Sequence, residues 1–507
     1  MNGAQGGTAE LLVIGGGPGG YVAAIRAAQL GLDVTLVEAG EVGGVCLNVG
    51  CIPSKALISA ADLFARARQA ETMGLLFEGA RVDLGRLQDW KAGVVRQLTG
   101  GVRQLLQGNG VRLVHGRARL LGPGRARIEP VAGAGGVAGA GAGAGAGTAV
   151  VPPQGSEIAF RQAVLATGSR PAALKVLPFD GRWVLDATGA LALRELPAEL
   201  VVVGGGYIGI ELGTVYAKLG SRVTVVEALP EILGGVGRSL VTVVERQLRK
   251  LGVTVHKGAQ LLGGEPPAGG SGAGRVAVRL ADGREVAIPA EKVLVSVGRR
   301  PNSEELGLES VGLSTDEKGF LPVDGQRRTR AAGIFAIGDL AGGPLLAHKA
   351  SHEGIVAAEA AAGRPTVFEP RAVPAVIFSD PEIATAGLTE EEARAQGIEP
   401  VSARFNFAAN GRALGEARGE GFVQLVADAS DHALLGVQIV GPDASSLIAE
   451  GVLAIEMGAT LEDLALTIHA HPTLPETLME AAALGLGQPI HTLLRRRPEP
   501  SGSGRPA

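Results

Sequence analysis

Twice in this chain a short apolar run leads into a glycine-rich turn, and the two copies align without a gap: LLVIGGGPGGYVAAIRAAQLGLDVTLVEA from Leu11 and LVVVGGGYIGIELGTVYAKLGSRVTVVEA from Leu200. Each copy reads as strand, turn, helix, strand. The runs that begin at Leu11 and Leu200 have the unbroken hydrophobicity of parallel strands buried on both faces, and the β-branched runs ending at Val37 and Val226 match them. Gly15, Gly17 and Gly20 in the first copy, and Gly204, Gly206 and Gly209 in the second, follow the spacing G-x-G-x-x-G. That spacing lets a backbone turn tightly and approach a pyrophosphate at a helix N-terminus. An acidic residue closes each copy about twenty residues further on. Glu38 suits a ribose diol, whereas Glu227, with no arginine directly after it, would repel a 2′-phosphate, so NAD is expected over NADP.

A chain of 507 residues is too long for one core and should divide into three or four domains. Its formal charge of −4, from 47 basic and 51 acidic residues spread along the sequence, offers no basic stripe for nucleic acid and no acidic tail. Met1 to Glu10 is polar and glycine-rich, unlike a secretory signal, so a cytoplasmic protein is expected. The longest uncharged run, between Glu129 and Glu157, is mostly glycine, alanine and proline, which argues against a membrane span. Within it, residues 131–148 read as a flexible loop insertion with little to bury. Gly263 to Gly274 reads as a shorter loop of the same kind, between a strand ending near His256 and a hairpin-like Arg275 to Ile288, and the tail 491–507 as disordered.

Only two cysteines occur, so no disulfide framework holds the fold. They sit close together in GGVCLNVGCIPSK, as Cys46 and Cys51. A pair of this kind suits redox catalysis, two buried reduced thiols, or half of a zinc site that lacks further cysteines nearby. If the stretch is helical, Lys55 lies one turn beyond Cys51 on the same face. His348 and His352 also stand one turn apart, but no third ligand accompanies them and no metal site is expected.

With GGVCLNVGCIPSK the chain resembles the class I pyridine nucleotide-disulfide oxidoreductases, and within them the dihydrolipoyl dehydrogenases. The likeness covers roughly residues 8–490 and rests also on ATGSRP from Ala166, VSVGRRPN from Val295, GIFAIGDLAGGPLLAHKASHEG from Gly333 and IHAHPTLPE from Ile468. It implies an α/β fold: two Rossmann-like dinucleotide-binding domains, for FAD and NAD, and a C-terminal α+β dimerisation domain. The implied boundaries are 1–172 for the first part of the FAD domain, 173–299 for the NAD domain, 300–368 for a central domain completing the FAD site, and 369–490 for the interface domain.

The same resemblance implies roles. Cys46 would be the interchange sulfur that meets substrate and Cys51 the sulfur facing the flavin, with Lys55 beside it and paired to Glu211. Thr167, Gly168 and Ser169 would help enclose FAD, Asp339 would bond its ribitol chain, Ala347 would meet the ring, and Gly116 would lie near adenine. Gly298 would approach NAD, His471 would be the acid–base residue, and Glu476 would orient it. Val45 departs from the threonine usual in the family and removes one hydroxyl. The implied reaction is oxidation of protein-bound dihydrolipoamide with reduction of NAD⁺. It would take place in a homodimer whose active sites are shared between subunits. The expected partners are lipoyl domains of acyltransferase components or of the glycine-cleavage H protein.

The alternatives are another flavin disulfide reductase or a non-catalytic flavin-binding scaffold. A mercuric reductase should carry an extra C-terminal cysteine pair, and a glutathione reductase should favour the NADPH that Glu227 opposes. A soluble transhydrogenase would not need the cysteine pair. Intact Cys46, Cys51, His471 and Glu476 argue against the scaffold.

Overall fold

A computed structural model describes residues 7–131, 155–270 and 272–493. The expected glycine–alanine insertion, beyond Val131, lies outside the described residues, as does the tail beyond Leu493. The chain divides into two compact units: Met1–Ile232 with Gly252–Glu369, and Leu233–Leu251 with Pro370–Ala507.

In the first unit, β1 (Thr8–Ile14) turns into α1 (Pro18–Gln29) and returns as β2 (Val34–Glu38). The segments α2 (Gly44–Val49), α3 (Cys51–Gln69) and α4 (Leu84–Gly108) then lead to β3 (Arg112–His115), β4 (Arg117–Gly122), β5 (Arg125–Glu129) and β6 (Ser156–Leu165). β1 lies between β2 and β6, parallel to both, with β3 parallel to β2 on the outside. β5 pairs antiparallel with the first half of β6. Alternate residues of β1 serve different cores, which explains its unbroken hydrophobicity. Leu11 and Val13 pack with Ala23, Ala24 and Ala27 of α1. Leu12 and Ile14 pack with Leu120, Ala126 and Ile128.

The second copy builds a second parallel sheet. After β7 (Ser169–Pro171), β8 (Val184–Leu185) and α5 (Ala187–Leu191) come β9 (Glu199–Val203), α6 (Tyr207–Leu219) and β10 (Arg222–Val226). α7 (Arg238–Lys250) belongs to the other unit. β11 (Thr254–His256) rejoins the sheet, and β12 (Gln260–Glu265), β13 (Gly274–Arg279) and β14 (Glu285–Ala290) form an antiparallel sheet of their own before β15 (Lys292–Val295). The parallel order is β11-β10-β9-β15-β8. Leu200 faces Val223 as Leu11 faces Val34, so the two copies share one register. β16 (Arg299–Pro301) then pairs with β7, β17 (Ile334–Ala336) joins β6, and α8 (Ala347–Ala361) closes the unit against α1.

One expectation is corrected here. Gly263 and Gly264 are not loop residues: they lie in β12, paired with Ala277 and Val276. At Gly264 the absence of a side chain serves an aromatic ring. Trp183 is buried, with its Nε1 donating to the Ala290 carbonyl at 2.9 Å. A Cβ on Gly264 would stand 2.8 Å from the Trp183 ring.

In the second unit the antiparallel order is Ala375–Ile377, Glu382–Gly387, Leu434–Gly441, Phe422–Asp428, Pro400–Asn406. The helix Ala444–Met457 packs on Glu382–Gly387 and Leu434–Gly441, and the helix Glu476–Gly485 on Pro400–Asn406 and Phe422–Asp428. Phe405, Phe407, Leu425, Ile439 and Leu478 sit in this core. α7 contributes a buried apolar face of Leu240, Val241, Val243, Val244 and Leu248.

By length and composition Gly44–Met73 could cross a membrane. It is broken at Gly50, however, and α3 packs along α4 and α6.

Gly264→Val should push into the Trp183 ring and destabilise the first unit by about 1–3 kcal/mol, as overpacking does. A thermal unfolding midpoint equal to that of the parent would contradict this account of the glycine.

Candidate active site

The first glycine turn is closed by a contact that only glycine allows. A Cβ on Gly20 would lie 1.8 Å from the Gly15 carbonyl oxygen, and Gly209 repeats the arrangement at 2.1 Å from the Gly204 oxygen. Neither α1 nor α6 has a side-chain cap, so the first-turn N–H groups face outward as an anion site. The acidic residues occupy equivalent places. Glu38 accepts from Gly16 N at 2.5 Å and Gly40 N at 2.6 Å. Glu227 accepts from Gly205 N at 2.6 Å and Leu229 N at 2.7 Å. Glu38 also borders a small pocket with Arg103 and His115, and the buried His115 Nδ1 has no partner among the described residues. Gly116 adjoins it, donating its N–H to the Glu38 carbonyl at 2.9 Å.

Below this turn lies a cavity of about 380 Å³. Its walls bring together Gly17, Cys46, Cys51, Lys55, Gly168, Ser169, Glu211, Asp339 and Ala347, drawn from widely separated parts of the chain. The glycine cradle, the uncapped helix start, the unpartnered imidazole nitrogen and this cavity together fit a dinucleotide with a large ring system such as FAD. Thr167 does not line the cavity: its hydroxyl donates to the Asn302 carbonyl at 2.8 Å, and Asn302 Nδ2 returns a bond to the Thr167 carbonyl at 2.9 Å. Gly298 lies outside it too, just past β15, with φ of 120°.

The cysteines stand on two helical pieces. Cys46 lies within α2 and Cys51 opens α3, with Gly50 breaking the helix between them. Both are thiols, and Cys46 donates a hydrogen bond to Cys51. That bond lowers the Cys51 pKa to about 7; burial opposes it, and the Lys55 ammonium adds to the lowering. Cys46 is pushed strongly the other way, by the same bond and by burial. Lys55 is itself held by Glu211 at 2.9 Å, with the Glu211 side chain only 5% exposed. The pair is therefore chemically unequal, with Cys51, the thiol one turn from Lys55, lowered and Cys46 raised.

Sequence reasoning missed the supports of Asp339. The Ser169 hydroxyl donates to Asp339, and Arg299 fixes Ser169 through Nε to its Oγ and Nη2 to its carbonyl, both at 2.7 Å. Beneath them the fully buried Glu353 accepts from Gly338 N at 2.7 Å and Arg327 at 2.9 Å, and pairs with Lys349 at 3.0 Å. Lys349 and Glu353, four apart on α8, were the only local signal.

In the second unit, His471 Nδ1 meets Glu476 Oε1 at 2.8 Å, and Glu476 Oε2 accepts from Thr473 N at 2.8 Å. Burial pushes the Glu476 carboxyl up, but these bonds outweigh it and hold its pKa below the usual value. His469 has both ring nitrogens engaged, by Glu450 at 2.8 Å and the Thr467 carbonyl at 2.9 Å. His471, whose side chain is 80% exposed, keeps Nε2 without a partner among the described residues. Of the two, only His471 keeps a ring nitrogen without a partner among the described residues. His348 and His352 join no cluster of metal-ligating side chains among the described residues.

Residues 9–354 match the family described as pyridine nucleotide-disulphide oxidoreductase, and residues 373–482 match its dimerisation domain. The chain is 50% identical to a dihydrolipoyl dehydrogenase of Geobacillus stearothermophilus, over 96% of this chain and 98% of that one. It is 52% identical to dihydrolipoyl dehydrogenase 2 of Haloarcula marismortui, over 95% and 98%. Among solved structures it is similar to LpdA of Mycobacterium tuberculosis, with a TM-score of 0.82 and 29% identity, covering 94% of this chain and 99% of that one.

Lys55→Met should raise the Cys51 thiol by about one pKa unit, since an adjacent opposite charge is worth that much. The check is the pH dependence of Cys51 alkylation in reduced enzyme: its midpoint should move from about 7 to higher pH.

Proposed function

Because the chain belongs to the pyridine nucleotide-disulphide oxidoreductases, we propose that it oxidises the dihydrolipoamide arms of multienzyme complexes with NAD⁺ as acceptor, as a dihydrolipoyl dehydrogenase. The observation that carries this reading is the unequal Cys46–Cys51 pair on the wall of the glycine-turn cavity, with Lys55 beside it. Its cofactors are FAD and NAD.

Each catalytic cycle begins with Cys46 and Cys51 joined as a disulfide. His471 Nε2, its tautomer fixed by Glu476, takes the proton of a substrate thiol, and the thiolate attacks Cys46. The Cys46–Cys51 bond breaks and its electron pair leaves on Cys51, whose low pKa makes it the better leaving group. The second substrate thiol attacks the substrate sulfur of the mixed disulfide and closes the oxidised lipoyl ring. Cys46 is released and takes up a proton, and Lys55 stabilises the Cys51 thiolate. FAD and NAD, when bound, supply the two-electron relay that carries the reducing equivalents from this dithiol to the nicotinamide. Glu227, already tied to the glycine turn, excludes a 2′-phosphate.

The second unit carries the dimerisation domain, and its apolar Leu453, Met457, Leu466 and Ile468 are exposed in the single chain. A second copy would cover them. In such a dimer His471 and Glu476 of one chain serve Cys46 of the other. The partners are lipoyl domains of acyltransferase components or of the glycine-cleavage H protein. The reducing cytoplasm suits a dithiol that must cycle.

Purified protein should show a flavin spectrum and form NADH from dihydrolipoamide and NAD⁺, with little turnover on glutathione or NADP⁺; no dihydrolipoamide-dependent NADH would refute the reading. Glu227→Ala should narrow the NAD⁺ over NADP⁺ preference measured as kcat/KM. His471→Gln should lower turnover by about 10²–10⁴-fold, the span of general acid–base catalysis. Co-expressing Cys46→Ser and His471→Gln chains should restore roughly a quarter of parent turnover, because statistical pairing gives half heterodimers with one intact site each. No recovery would show that each site is built from a single chain.

A further inference from the structure

α3, which begins at Cys51, packs along α6 of the second glycine-turn domain, and two ion pairs bridge the helices. Lys55 meets Glu211 at 2.9 Å, and Asp62 meets Lys218 at 2.5 Å. Both pairs span 156 positions, so the helices run side by side, in the same direction and in one register. The second pair stands two turns beyond the first, about 10 Å of helix rise. Its charges are exchanged: α3 presents cation then anion, α6 anion then cation.

That alternation admits one alignment. A slip of one turn would set Lys55 beside Tyr207 with Asp62 beside Thr214, or Lys55 beside Val215 with Asp62 past the end of α6 at Leu219. Reversing one helix would set Lys55 against Lys218 and Asp62 against Glu211, like charge on like. The side chains of Glu211 and Lys218 are each only 5% exposed, so neither can turn to water when its partner is lost. Two part-buried ion pairs of opposed sense on neighbouring helices favour this register over its slips and its reversal.

We propose that Asp62 and Lys218, which touch neither cysteine, are positioning residues for the dithiol chemistry: their ion pair fixes α3 on α6 so that Lys55 stays against Glu211 and beside Cys51. The inference rests on the reading of Cys51 as the thiolate of the reaction. Where Asp62 is lost, the second ion pair no longer holds α3 in register on α6, and Lys55 can shift against Glu211. Where Lys218 is lost, the packing of α3 remains, but the charge that fixes its register at Asp62 is gone.

The test uses the holoenzyme carrying Cys46→Ser, which keeps a hydroxyl donor beside Cys51 and leaves it the only thiol in the chain. The rate of alkylation by iodoacetamide is followed against pH. Asp62→Asn and Lys218→Met should each raise the midpoint by about one unit, as loss of a neighbouring opposite charge does. The charge-exchanged double variant Asp62→Lys with Lys218→Asp should bring it back. A midpoint unmoved by both single variants but raised by Lys55→Met overturns the positioning role alone. A midpoint unmoved by Lys55→Met as well overturns the reading of Lys55 on which the role depends. A lowered melting temperature with an unmoved midpoint assigns the pair to stability only and also overturns the proposal.

Discussion

The approach of the Gly20 backbone to the Gly15 carbonyl is the constraint on which everything else hangs. It leaves no room for even one carbon, and so it presses the start of α1 against the end of β1. From that contact follow the exposed N–H groups of the first helical turn, the place of Glu38 across the turn, and the cavity beneath. The same contact between Gly209 and Gly204 fixes α6, and α6 in turn holds Lys55 through Glu211. The cysteine helix is thus tied to one glycine turn by the cavity it lines and to the other by an ion pair.

Much of this was legible because its causes are local. A strand buried on both faces must be apolar throughout, a tight turn must be glycine, and a helix places Lys55 one turn from Cys51; each leaves a signature within a few residues. The partnership of Lys55 with Glu211 was reached only through family resemblance, since 156 positions separate them and nothing in either segment names the other. Arg299 and Glu353 were missed for a related reason: Ser169 reaches Arg299, and Arg327 and Gly338 reach Glu353, only through tertiary packing. Gly264 was misread because glycine written into a sequence looks alike whether it serves freedom or crowding. The crowding comes from Trp183, far upstream.

The two cysteines show how identical side chains come to differ. Their spacing alone is symmetric in chemistry, but the break at Gly50 puts Cys51 at the start of a helix, where Lys55 is one turn away, and leaves Cys46 as the donor. A similar division separates His469 from His471. The first spends both ring nitrogens on Glu450 and Thr467, and the second spends one. In both cases the difference follows from which partners the fold gives each side chain.

α7 lies between β10 and β11 in the chain, yet it belongs to the second unit, most of whose residues begin at Pro370. A ribosome working at about 5–20 residues per second would release α7 roughly ten to forty seconds before the strand Leu434–Gly441 that it meets. For that interval the apolar face of Leu240, Val241, Val244 and Leu248 must wait without its final neighbours. The charged side chains on the same helix, among them Arg238, Glu245, Arg246, Arg249 and Lys250, then act as its guard against premature association during synthesis. The threading of this one helix makes the order of emergence from the ribosome part of how the molecule is assembled.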